Sequence, residues 1–159
     1  MGAPTNPLRL KTIDRVVAVL AAIVAGDDYF FTPFEVAKRF KHWNECRGFP
    51  TYMVFTDSGG NVDLSGAPDI YDEDFYINVK GYVQDNVDTV TKLEQAIRDV
   101  RKAINEDSKS MAAGSLGAIA VEIRIEKSPD TDNGYLSLEG FGFFDQQIRV
   151  KISGGYGEL

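Results

Sequence analysis

The sequence has 159 residues, of which 43% are hydrophobic and 26% charged, with a formal net charge of −7. This length and balance predict one globular domain whose core needs no metal or disulfide staple. The acidic excess argues against a protein that grips phosphate backbones, since such affinity comes mostly from clustered Lys and Arg, and a single cysteine excludes an internal disulfide.

The opening segment reads as carrying no signal peptide, because Arg9 and Lys11 precede its apolar stretch and Asp14 and Arg15 break it. The longest apolar run, Val16 to Ala25, has ten residues, about half of what a bilayer crossing needs. The outline of a myristoylation signal at Gly2 fails at Asn6, where Ser or Thr is required. Residues 1–6 and 153–159 are expected to be flexible ends of one domain spanning 1–159.

The first predicted element is a helix, with Asn6 as its cap and Pro7 in the first helical position. Ile13, Val16, Val17, Leu20, Ile23 and Val24 recur at helical spacing, and Gly26 is the expected left-handed C-terminal cap. The aromatic stretch Asp28–Phe40 suits a strand that Pro33 confines to an edge or a bend. Thr51–Thr56 reads as a short strand entered through Pro50. Asp57–Asp74, rich in Gly, Asp and Ser, reads as a long polar loop of the kind that is functional or mobile.

Phe75–Val83 alternates, with Phe75, Ile77, Val79 and Val83 on one side and Tyr76, Asn78, Lys80 and Tyr82 on the other. A second helix is predicted from Asp88 to Glu106, capped by Asp88 or Thr89. Its buried stripe is Leu93, Ala96, Ile97, Val100 and Ile104, and Glu94 stands four residues before Arg98 on the exposed side. Ala118–Lys127 alternates again, with Ile119, Val121, Ile123 and Ile125 inward. A polar connector from Pro129 to Gly142 leads to a last strand, Phe143–Ile152, with Phe144, Ile148, Val150 and Ile152 on one face and Arg149 and Lys151 on the other. Alternation throughout implies strands with one wet and one buried face. The expected fold is therefore α+β: a mostly antiparallel sheet of four to five strands, with two amphipathic helices on one face.

Motifs supply no reaction. His42 and Cys46 are the sole residues of their types, and a zinc site needs three or four protein ligands. A Cys–His nucleophile would need an orienting third group and a pocket. Trp43 between them reads as a packing anchor or an interface aromatic. The acidic runs Asp69–Asp74 and Asp130–Asp132 lack the spacing of a calcium loop, since Glu139 falls two residues short of the closing ligand. The glycine stretches lack the Lys-Ser/Thr, strand or helix context of phosphate loops and nucleophile elbows. No metal and no cofactor are expected.

Certain phrases carry a resemblance. Tyr29 and Phe30 follow the first helix. Val79, Gly81, Tyr82 and Val83 form a V-x-G-Y-V strand. A helix carrying Leu93, Ile97, Asp99, Ala103 and Asp107 comes next, and a β-stretch ends the chain. Together these resemble the tail-terminator, or tail-completion, proteins of long-tailed bacteriophages and phage-derived particles, over about Leu8 to Tyr156. The phrase that follows the second helix in that family is matched here only through Leu116 and Gly117. The resemblance implies a non-enzymatic virion protein at the head-proximal end of the tail. It would form a homo-hexameric ring that caps the tail tube, ends its polymerisation and meets a head-to-tail connector, while genomic DNA passes through the lumen without specific binding. No membrane partner is implied. Trp43, Asp57, Gly59, Gly60, Asp63, Asp69, Asp72, Asp74, Asp130, Asp132 and Glu139 are the expected interface residues. A neck protein of the same particle, or a small enzyme using loop carboxylates such as Asp72 or Asp74, are the competing expectations.

Overall fold

The computed structural model describes residues 4–109, 119–132, 140–155 and 157–159. Helix α1 spans Leu8–Ala21, with Pro7 rather than Asn6 at the N-cap. The first orphan amide needs no side-chain cap, because Leu8 N–H donates to the Glu158 carbonyl at 2.7 Å. At the other end Ala22, in ordinary right-handed geometry, donates back to Ala18. Gly26 is therefore no left-handed cap; its N–H closes the next turn onto Tyr29 O at 2.9 Å. Val16, Leu20 and Ile23 are buried as the spacing predicts, while Val24 stands exposed.

Among the described residues the sheet has six strands: β1 (Glu35–Ala37), β2 (Thr51–Leu64), β3 (Tyr71–Gln84), β4 (Glu122–Arg124), β5 (Asp130–Asp132) and β6 (Phe141–Gly154). Their order is β1-β2-β3-β6-β4, with β5 also on β6; the β1–β2 pair is parallel and the rest are antiparallel. The predicted α+β architecture is the one observed, with β5 as the strand the sequence pattern did not reveal. β2, β3 and β6 each run for 14 residues, a ribbon about 45 Å long.

That length overturns the predicted Asp57–Asp74 loop. β2 and β3 continue through it, leaving only residues 65–70 as a turn, with Asp69 at φ 58°. Between Asp57, opposite Tyr76, and Asn61, opposite Asp74, three residues of β2 face the single residue Phe75. This bulge absorbs the glycines: Gly60 has φ 100°, and a Cβ there would lie 1.9 Å from the Asp74 carbonyl. Backbone pairing is blind to side-chain polarity, so a Gly- and Asp-rich stretch can still be a strand.

The inner face of the sheet carries the core. Phe75, Ile77, Val79 and Val83 of β3 meet Tyr52 and Val54 of β2 and Phe144, Ile148, Val150 and Ile152 of β6, all buried. Helix α2 (Thr89–Lys109) closes the layer with its predicted stripe Leu93, Ala96, Ile97, Val100 and Ile104, plus Ala103. Each large aliphatic or aromatic side chain fully buried here contributes about 1.5–3 kcal/mol. Gly81 lies between Tyr52 and Phe144, where a Cβ would stand 2.3 Å from the Phe144 ring; its absence lets the two rings meet at 6.0 Å.

Asp88 caps α2, its carboxylate accepting from Thr91 N at 3.0 Å. Arg98 does not pair with Glu94 as its spacing suggested; it turns to Asp99 and to the Asp28 carbonyl. Asp99, fully buried within α2, accepts from the backbone amides of Phe30 (2.8 Å) and Phe31 (3.0 Å) and so ties down the aromatic loop after α1. Asp107 locks α2 to α1 through Arg15 at 2.6 Å, a bond that raises the Arg15 pKa.

Two further expectations are corrected. The strand predicted over Ala118–Lys127 is reduced to Glu122–Arg124, with Val121 exposed just before the ladder begins; Ala118, Leu116 and Gly117 lie outside the described residues. The predicted tail is docked: Ser153 and Gly154 belong to β6, Glu158 holds α1, and Leu159 packs at the core's edge. Among the described residues no helix is long and apolar enough to cross a membrane.

Candidate assembly surfaces

The outer face of the sheet is not uniformly wet. Tyr82 and Asn78, predicted to face solvent, are 0% and 5% exposed. The chain from Phe40 to Phe49 crosses this end of the sheet as a strap. Lys41 carries it: its N–H meets Met53 Sδ, its carbonyl accepts from Tyr82 OH at 3.0 Å, and its ammonium pairs with Glu35. Trp43 lies 5.7 Å from Phe141, which Phe49 also meets at 5.4 Å. Trp43 is thus the packing anchor of the strap and is half-buried.

The other rare residues of this stretch form no reactive pair. Cys46 Sγ meets the His42 carbonyl at 3.5 Å rather than the imidazole, which packs edge-on against Phe40. Burial pushes the Cys46 thiol pKa up, so its nucleophilic form is disfavoured. Among the described residues no group of three or more His, Cys, Asp or Glu side chains gathers to hold a metal.

Beyond the strap the outer face becomes a mosaic of ion pairs. Asp74 meets Arg149 at 3.1 Å, Asp72 meets Lys151 at 3.5 Å, and Asp145 meets Lys80 at 3.1 Å. These cations offset like charges set opposite each other by register, Asp63 against Asp72 and Asp130 against Asp145. Asp57 is anchored through Gln147 at 3.4 Å. Asp74, Asn78 and Asp145 each keep one buried oxygen without a hydrogen-bond partner among the described residues. Asp72 and Asp74 are thus each paired with a cation on the outer face of the sheet.

The predicted interface residues fall into separate places. Asp57, Gly59, Gly60, Asp63 and Asp69 share the far end of the β2–β3 hairpin, hereafter the arm. Asp130 and Asp132 lie on β5, where Asp130 meets Lys127 at 3.5 Å, and Glu139 lies outside the described residues. β1 pairs only with Thr51–Met53, so the edge of β2 from Val54 to Leu64 has no strand beside it among the described residues. Val62 and Leu64 are exposed (48% and 67%) on the inner side of the arm, the side the helices cover elsewhere. Neither Asp63 nor Asp69 meets a cation among the described residues.

One surface escaped the sequence reading. Between α2 and the chain around β4 runs an open groove of about 800 Å³. Ile97 and Ile104 of α2 and Ile123 and Ile125 are its apolar lining, and its charged lining is Arg98, Arg101, Lys102 and Lys127 with Glu94 and Glu126. Arg101 gives its Nε to Gln146 at 2.8 Å and pairs with no carboxylate among the described residues. The readable signal was the basic triplet Arg98, Arg101, Lys102 at i, i+3, i+4 on one side of α2.

No protein-family model matches this sequence, and no curated protein matches it.

Proposed function

We propose that this chain is a structural virion protein, a subunit of a ring, six-membered by the resemblance of its sequence, that caps a phage tail tube. In this role it ends tube polymerisation, offers the head-to-tail connector a surface and lets genomic DNA pass through its lumen. It catalyses nothing. The observation that carries the reading is the arm. A ribbon that outruns its covering helices, with Val62 and Leu64 exposed and, among the described residues, a strand edge unpaired, is a surface made for contact. Asp74 and Asp72, the carboxylates the competing enzyme reading would use, are held in ion pairs with Arg149 and Lys151. The bulge and the aspartates of the arm discourage indiscriminate strand addition, leaving its side chains to choose the partner.

The test is tail assembly with and without the chain. In its absence tubes are expected to run to irregular lengths under negative-stain electron microscopy, and adding the purified chain restores one length. Uniform tubes formed without it sink the reading.

A further inference from the structure

Two surfaces of this molecule complement each other. The arm is acidic with an apolar pair: among the described residues Asp63 and Asp69 meet no cation, and Val62 and Leu64 stand exposed on the face opposite to that of Asp63. The groove has a basic excess over its apolar residues, Arg98, Arg101, Lys102 and Lys127 against Glu94 and Glu126; among the described residues Arg101 meets no carboxylate, and Lys127 is 64% exposed. Strand order puts them on opposite edges of the sheet, the arm on β2 and the groove beside β4, with β3 and β6 between. One copy cannot satisfy both from within itself.

We propose that the arm of one copy seats in the α2–β4 groove of the next. This names the subunit contact of the ring and rests on the ring reading above. Val62 and Leu64 cover Ile123 and Ile125, while Asp63 and Asp69 meet Arg101 and Lys127. The contact joins two different patches, so each copy gives an arm and receives one. Repeated, a head-to-tail contact of this kind gives a ring where the rotation between copies divides a full turn, and an open filament otherwise. Charge complementarity sets the direction and rejects arm-to-arm pairing, where aspartates would face aspartates.

The experiment uses the full chain in sedimentation velocity from micromolar to millimolar concentration. The arm variant is Asp63→Lys with Asp69→Lys, and the groove variant is Arg101→Glu with Lys127→Glu. Lys127→Glu alone serves as a second groove variant, because that side chain is exposed and its loss leaves Gln146 bonded. Circular dichroism confirms that each folds. The wild type is expected to associate, and each variant alone to associate at least tenfold more weakly. An equal mixture of arm and groove variants is expected to recover association, since every junction in an alternating ring is again complementary. A monomeric wild type at millimolar concentration, reversals that leave association unchanged, or a mixture that fails to recover would overturn the proposal. Tail capping is scored separately. An arm variant that still caps tubes overturns this contact and leaves the tail-cap reading standing. Association through arm and groove by a chain that never caps tubes does the reverse.

Discussion

Replacing Asp99 with alanine removes the buried side chain of α2 that holds the backbone amides of the loop following α1. Asp99 is fully buried and takes two backbone amides, Phe30 at 2.8 Å and Phe31 at 3.0 Å. A hydrogen bond to a charged group is worth about 1.5–3 kcal/mol, and a buried donor left unpaired costs about 1–3 kcal/mol. The two donors are neighbours in one part-buried loop, so their losses overlap, and the expected destabilisation is about 3 kcal/mol. Asp99→Asn keeps an acceptor oxygen without the charge and should cost roughly half as much. For a chain of this size, 3 kcal/mol lowers Tm by roughly 6–12 °C. Urea unfolding followed by circular dichroism measures the free energy, and hydrogen exchange at Phe30 and Phe31 locates it. Asp99→Ala within about 0.5 kcal/mol of the wild type would refute the reasoning, because the amides would then be satisfied without the carboxylate.

Gly60→Ala forces a Cβ toward the Asp74 carbonyl at positive φ and should cost about 1–3 kcal/mol; hydrogen exchange is expected to quicken in the arm while β3 beside α2 keeps its protection. Asp85 and Asp88 have pKa values lowered from the ordinary range, Asp85 by the backbone amides of Asp88 and Val87, and Asp88 by the Thr91 hydroxyl and amide. Their stabilisation is present above the unfolded carboxylate value near 3.9 and disappears as pH falls through the lower folded values. Tm should therefore hold from neutral pH down to about 5 and fall below about 4, with a smaller fall in Asp88→Asn. Trp43 is the sole tryptophan and packs on Phe141. Tyr82→Phe, which removes the hydroxyl bond to the Lys41 carbonyl, should redshift its fluorescence by loosening the strap; an unchanged spectrum would show that this bond does not hold the strap down.

The sequence was most readable where one physical rule acts alone. The α2 stripe is pure 3.6-residue periodicity, and every predicted member is buried. The inner faces of β3 and β6 follow strict alternation, and they too came out as read. The arm was unreadable because its strands are held by backbone pairing and by cations on the neighbouring strand, and composition reports neither. The strap was missed for a related reason: Tyr82 alternates outward correctly, and an earlier stretch of the chain, Phe40–Phe49, folds back to cover it. The residues behind the family resemblance have structural duties. Gly81 admits two rings, Tyr82 holds the strap, Asp99 and Asp107 fasten loop and helix. Such residues speak for the fold, and a fold can host many functions. The groove needed three dimensions, because Arg101 and Lys127 lie on elements distant in sequence.

The tie between Leu8 and Glu158 has a practical side. It brings the start of α1 and the segment after β6 to one corner, and a Cβ on Gly155 would sit 4.0 Å from the Asp69 carbonyl in the turn of the arm. A bulky fusion on the last residue would therefore crowd the arm and keep copies apart. Attached through a protease site, it becomes a trigger for the proposed contact: purification would proceed with separated subunits, and cutting the fusion off would free the arm at a chosen moment.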